Sequence, residues 1–271
     1  MPGRPRPTSH SRSSRPREEA RVVAVANQKG GVAKTTTVAS LGAAFAATGL
    51  KVLLVDLDPQ SSLTFSLGLD PDAVEPSIAD VLLRGLPMPD VVHATDDGVH
   101  LVPSTIELAG AEPQLLARPG REFVLREALA ELLPSYDVVL LDCSPSLGVL
   151  TLNALTAADA VLVPVQCEML SHRGVGQLLD TIADVQRILN KELTVLGLLP
   201  TMYDGRTTHA RAVLADLETR YELPVLAPPI PKSIRFAEAP AVGRSVLATA
   251  RGSKGADAYR QVAASIASTW G

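Results

Sequence analysis

Aromatic residues are scarce in this chain: Phe, Trp and Tyr make up 3% of its 271 residues, against 46% hydrophobic residues overall. A core with so few rings has to be filled by Leu, Val and Ala, the side chains that cover both faces of a buried parallel sheet. Cysteine is nearly absent. Cys143 and Cys167 stand alone without paired spacing, which excludes a disulfide framework and a zinc-ribbon pattern. Both read as small buried hydrophobes near strand ends. No apolar run reaches the length of a membrane span and no secretory signal opens the sequence, so a cytoplasmic protein is expected. No internal repeat is visible.

What is present divides into two unequal parts. Residues 1–21 carry six Arg, two Glu, four Pro and four Ser with almost nothing apolar, the composition of a disordered tail. The remainder, residues 22–271, holds 19 basic and 27 acidic residues. Within it, short apolar runs alternate with Ala- and Leu-rich stretches. Strands are expected over 22–27, 51–58, 99–103, 137–143, 160–165, 194–201 and 224–230. Helices are expected over 36–48, 121–133, 178–189, 208–221 and 255–270, the first of them stopped by Gly49. This alternation predicts a single α/β domain, a mainly parallel twisted sheet with helices on both faces, and ligands at the carboxyl ends of the strands.

The segment VVAVANQKGGVAKTTT, residues 22–37, reads as strand, phosphate-wrapping loop and helix start. Adjacent Gly30 and Gly31 let backbone N–H groups turn inward, and the helix N-terminus adds further donors. Val32 and Ala33 complete the loop. Lys34 is placed to neutralise phosphate charge, the Thr35 hydroxyl to complete a Mg²⁺ shell, and Thr36 follows in the same turn, as in P-loop NTPases. The usual glycine positions of that motif hold Gln28 and Ala33 instead, and a second lysine, Lys29, stands five residues before Lys34.

That pattern resembles the deviant Walker A motif, KGGxGK-T/S, of the ParA/MinD family of P-loop ATPases. The resemblance implies ATP and Mg²⁺ as cofactors, slow ATP hydrolysis to ADP and phosphate, and a homodimer in which Lys29 reaches the partner's nucleotide. Lys29 and Lys34 are then catalytic. Ala33 departs from the family's glycine; if that position needs a positive φ, its methyl group costs energy.

Two further motifs end apolar strands with acids. In KVLLVDLDPQ, residues 51–60, Asp56 and Asp58 fall on one face of the strand end. Spacing alone fits either magnesium-water chemistry or a turn and helix cap. The family's D-x-D-P motif ties the Asp before Pro, here Asp58, to hydrolysis and leaves Asp56 as a metal residue. In YDVVLLDCSPSLG, residues 136–148, four apolar residues lead to Asp142, the form of a Walker B acid holding magnesium water. Ser144 replaces a proline of the family's D-C-P-P-S-L-G, a change expected to loosen the loop.

The resemblance reaches beyond the nucleotide motifs. LPTMYDGRTTHAR (199–211) and PIPKSIRFAEAPAVGRSV (229–246) look like late segments of ParA/Soj-like partition ATPases. It implies nonspecific DNA binding through Arg206, Lys232 and Arg235, an adenine pocket touching Thr201, Met202 and Pro231, a nucleoid-associated location, and a ParB-like partner in chromosome or plasmid segregation. Binding to phosphates without base reading predicts strong salt dependence. The alternatives are a ParA-like ATPase positioning a non-DNA cargo and a MinD-type cell-division or membrane-site regulator. A reductase- or synthetase-type relative stands further off. The closing AYRQVAASIASTWG carries one Arg, too little charge for an amphipathic membrane anchor, so no membrane partner is expected.

Overall fold

The computed structural model describes residues 20–167 and 171–270. In chain order the elements are β1 (Arg21–Val25), α1 (Lys34–Ala46), β2 (Val52–Leu57), α2 (Ser62–Ser66) and α3 (Ile78–Arg84). Then come β3 (His93–Ala94), β4 (His100–Val102), α4 (Leu108–Leu116), α5 (Val124–Ala130), β5 (Val138–Cys143) and α6 (Val149–Ala157). The rest are β6 (Ala160–Gln166), α7 (Ser171–Ile188), β7 (Thr194–Thr201), α8 (Thr208–Tyr221), α9 (Arg235–Glu238), α10 (Val246–Thr249) and α11 (Lys254–Ser268). Among the described residues one seven-stranded sheet runs in the order β3-β4-β2-β5-β1-β6-β7. All pairings are parallel except β3 with β4.

Strand alternation sorts the side chains into two cores. Val22 and Ala24 of β1 face a cluster built with Ile78, Leu108, Leu125, Leu150, Leu178 and Leu217 from α3 to α8. Val23 and Val25 face the opposite cluster, with Leu41 of α1, Val246 of α10 and Tyr259 of α11. Each buried Leu or Val contributes about 1.5–3 kcal/mol, so the sheet is held from both sides, as the aromatic-poor composition implies. Cys143 and Cys167 are both buried free thiols, as expected.

Three expectations need correction. Residues 224–230 do not form a strand; they make one parallel bridge, Val225 to Leu198. Pro224, Pro228 and Pro229 supply no N–H for a ladder, and the donors that remain at Leu226 and Ile230 reach the Leu198 and Pro200 carbonyls of β7. The short edge strand β3 was not anticipated, because two residues carry no readable period. The expected helix over 178–189 begins seven residues earlier, at Ser171. The tail expected over 1–21 lies outside the described residues except for its last two. Ala20 is buried and Arg21 already opens β1.

Candidate functional site

Asp142 is the most exacting group in the molecule. Register pairing puts it beside Val25 of β1 and Asp56 of β2, at the carboxyl ends of three neighbouring strands. It is fully buried, and neither carboxylate oxygen has a hydrogen-bond partner. Burial pushes its carboxyl well above the usual range and Asp56 adds to the push, while the Thr35 hydroxyl and the Lys34 ammonium pull the other way. An orphaned buried carboxylate is costly, and a cation in front of it removes that cost.

Asp56 behaves differently. Its oxygens accept from the Thr64 N–H (2.9 Å) and hydroxyl (2.7 Å) and from the Asp58 N–H (3.1 Å). Burial raises its carboxyl to about 6 against these bonds. The expected metal residue is therefore committed to tying β2 to α2. Asp58 sits further out, half-buried, its carboxylate accepting from the Gln60 N–H at 2.9 Å.

The loop after β1 is pinned from below. Asn27 donates to the Pro164 carbonyl (2.7 Å) and accepts from the Lys29 N–H (3.0 Å). Thr201, at the end of β7, donates its hydroxyl to the carbonyl of buried Val32 at 3.0 Å. Gly31 takes φ +74°, and Ala33 takes φ 64°, ψ 34°, the left-handed conformation for which its methyl is unsuited. The conditional cost stated for Ala33 therefore applies, at roughly 1–2 kcal/mol. Ala33 is the residue before α1 and offers no side-chain cap, so the first N–H groups of that helix point outward unpaired by side chains. Lys34 is buried, its ammonium on the Lys29 carbonyl at 3.3 Å. Desolvation lowers its pKa, opposed chiefly by Asp142.

These groups open into a cleft of about 520 Å³. Of the expected residues it gathers Gly30, Gly31, Ala33, Lys34, Thr35, Thr36, Asp58, Met202, Pro231 and Lys232. It does not gather Lys29, Val32, Asp56, Asp142, Arg206 or Arg235. Thr201, expected beside Met202 in the adenine pocket, lines it as well. Phe236 and Tyr259 also line it and were missed, because tertiary packing brings their rings in. Among the described residues no three His, Cys, Asp or Glu side chains gather to hold a metal unaided. Mg²⁺ fits such a place, because it keeps its waters and leans on a ligand's phosphates beside one or two carboxylates.

Comparison with known proteins decides among the chemistries this cleft allows. A family model described as an AAA domain matches residues 20–195. The sporulation initiation inhibitor protein Soj of Bacillus subtilis is 41% identical over 91% of this chain and 98% of its own length. The chromosome-partitioning ATPase Soj of Thermus thermophilus is 46% identical over 92% and 96%. The chain belongs to the ParA/MinD family of P-loop ATPases. A Mycobacterium smegmatis protein described as cobyrinic acid a,c-diamide synthase, solved with an ATP analogue and magnesium, is 57% identical. It superposes at TM-score 0.84 over 93% of this chain and 96% of that one.

Against the family pattern, the Ser144 substitution does not leave its loop without support. Ser144 is buried and its hydroxyl lies 2.9 Å from that of Ser146. The cationic segments, by contrast, are already neutralised locally. Arg206 grips Asp204 with two bonds of 2.9 Å, and the arginine holds the Asp204 carboxyl down to about 2. Arg235 pairs with Glu238 at 2.8 Å. Lys232 is exposed at the mouth of the cleft.

Proposed function

We propose that this ParA/MinD-family chain is a partition ATPase of the Soj type. It binds ATP with Mg²⁺ in the cleft, dimerises with Lys29 acting on the partner's nucleotide, and binds nonspecific DNA until a ParB-like partner stimulates hydrolysis. The observation that carries this is Asp142, buried and unpartnered beside Lys34 and Thr35 at the start of an uncapped helix.

The geometry supports the following roles. The N–H groups of Gly30 to Thr36 and the Lys34 ammonium hold the phosphates. Asp142 and the Thr35 hydroxyl hold the cation's water shell. When bound, Mg²⁺ supplies charge neutralisation on the transferring phosphoryl group. Asp58, at the cleft edge, orients the attacking water. Met202 and Pro231 face the base. Hydrolysis is slow, since Ala33 strains the phosphate loop, and a slow rate prolongs residence on DNA in a nucleoid-associated location. Arg206, Lys232 and Arg235 supply the phosphate contacts once DNA competes with Asp204 and Glu238.

An amide-forming ligase is the second reading, and the 57% identical structure favours it. Drawing nitrogen from glutamine calls for a nucleophilic thiolate. Both thiols of this chain are buried; burial raises Cys143 far above a thiolate range and Cys167 to about 11. A MinD-like membrane role fits less well, because the apolar face of α11 (Tyr259, Val262, Ile266) is spent on the core. Among the described residues no helix is long and apolar enough to cross a membrane.

The test compares the parent with Arg235→Glu on unrelated DNA sequences in the presence of ATP. Retention is expected to drop sharply in the variant while ATP binding persists, and to fall steeply with salt in the parent. No DNA binding by the parent would favour a non-DNA cargo; equal binding by both would move the surface elsewhere.

A further inference from the structure

One short stretch of chain supplies six of the cleft's lining residues, and the same stretch carries two of the exposed cations. Ile230, Pro231, Lys232, Ser233, Phe236 and Ala237 line the cleft, while Arg235 projects from the same turn with its side chain 59% exposed. This turn has few ties of its own. α9 is four residues long, contains no buried residue and has no side-chain cap. The stretch is tied at its start, where the Ile230 N–H reaches the Pro200 carbonyl (2.7 Å) and the Tyr203 N–H reaches the Ile230 carbonyl (2.9 Å); beyond that, α9 has one aromatic ring seated against α11.

That ring is seated with little slack. Phe236 meets Tyr259 edge to face, centroids 5.8 Å apart at 89°. Its tip rests against Gly255 on the first turn of α11, where an added Cβ would stand 2.5 Å from Cζ. Tyr259 is fully buried, and its hydroxyl lies 3.0 Å from the Thr37 hydroxyl. Thr37 belongs to the first turn of α1, which begins at Lys34. A continuous train of contacts therefore runs from the phosphate-loop helix through Thr37, Tyr259 and Phe236 to the turn that carries Lys232 and Arg235.

We infer that Phe236, seated on Gly255 and Tyr259, is a positioning residue that couples occupancy of the cleft to the placement of the Lys232–Arg235 turn. The inference rests on the reading of the cleft as an ATP site. A ligand filling the space between the phosphate loop and residues 230–237 presses on both ends of the train, so the turn has one position with ligand and is free to take others without it. The cations then meet an external polyanion as a fixed pair only in the occupied state. Gly255 is required because any side chain there takes the space of the ring.

Trypsin reads this directly, because Lys232 and Arg235 are both exposed cleavage points on the turn. In the full-length parent, saturating ATP with Mg²⁺ is expected to slow cleavage at these two sites at least five-fold. Gly255→Ala displaces the ring tip without weakening α11, since Ala is the better helix former. It is expected to keep ATP affinity within about three-fold while losing most of that protection. Phe236→Ala, which also alters the cleft lining and is therefore read at ATP concentrations that saturate it, is expected to lose the protection too, and Phe236→Leu to restore part of it. Retention on DNA, measured in parallel, should lose its dependence on ATP in the first two variants. Protection by ATP that is equal in the parent and in both Gly255→Ala and Phe236→Ala would overturn the coupling. So would a parent that binds ATP without any protection. A parent that binds no ATP would instead overturn the reading of the cleft.

Discussion

The loops after β1 and β7 meet across one cleft, yet they handle charge in opposite ways. Around β1, β2 and β5 the ionisable groups are buried and incompletely satisfied: Asp142 has no partner, and Lys34 is held in a setting that lowers its pKa. Around residues 204–238 the charges are exposed and already paired, Arg206 with Asp204 and Arg235 with Glu238. The first arrangement is costly without a ligand and rewards binding. The second is cheap, since exposed pairs contribute little, and it yields readily to a competing polyanion. On the proposed reading, the first suits tight, geometry-dependent nucleotide binding and the second loose, salt-dependent DNA binding.

The largest effect that sharpens this contrast is at Lys34. Lys34→Ala removes a charge-assisted contact of about 1.5–3 kcal/mol, so calorimetry should show ATP affinity reduced by roughly 10- to 150-fold. Next come the groups that separate binding from turnover. Lys29→Ala is expected to bind ATP yet stay monomeric in sedimentation with ATP, whereas Asp58→Ala should form an ATP dimer that barely hydrolyses. If both behave like the parent, the two-lysine mechanism fails for this chain. On the exposed side the effect is smaller and reversed in sign: Asp204→Asn releases Arg206 and is expected to strengthen retention on DNA a few-fold at low salt. A loss of retention would show that Asp204 orients Arg206 instead of competing for it.

The smallest effect concerns Ala33. Ala33→Gly relieves a left-handed alanine at roughly 1–2 kcal/mol, less the greater freedom of glycine in the unfolded chain, roughly 0.4–1 kcal/mol. Urea unfolding without nucleotide should show a gain of about 0.5–1 kcal/mol, and hydrolysis should quicken. An unchanged midpoint would mean that the loop relaxes around the methyl group.

The costly side of the contrast was largely legible in the sequence, and the cheap side was not. Valine-rich runs ending in Asp56 and Asp142 announce strands with acids at their carboxyl ends, because period and composition are local properties. The different fates of those two acids are not local: Thr64, eight residues beyond Asp56, takes up its oxygens with both N–H and hydroxyl, whereas Asp142 has only the Thr35 hydroxyl and the Lys34 ammonium acting to hold it charged. Thr201 was legible beside Met202, whereas Phe236 and Tyr259 enter the cleft through packing of α9 against α11, which no local pattern records. The pairing of Arg235 with Glu238 was available from its i,i+3 spacing. The failed strand over 224–230 was available too, from prolines at 224, 228 and 229 that remove ladder donors.

Magnesium dependence of ATP binding tests the central claim most directly, because it reads the orphaned carboxylate itself. ATP titrated by calorimetry into the parent should bind at least about ten-fold more tightly with Mg²⁺ than with a chelator, a difference of about 1.4 kcal/mol. Asp142→Asn should bind equally in both conditions, while unfolding later than the parent near neutral pH without nucleotide, because the burial cost that raises the Asp142 carboxyl is gone. An Asp142→Asn variant that keeps the full magnesium gain, or a parent indifferent to the ion, would contradict the account.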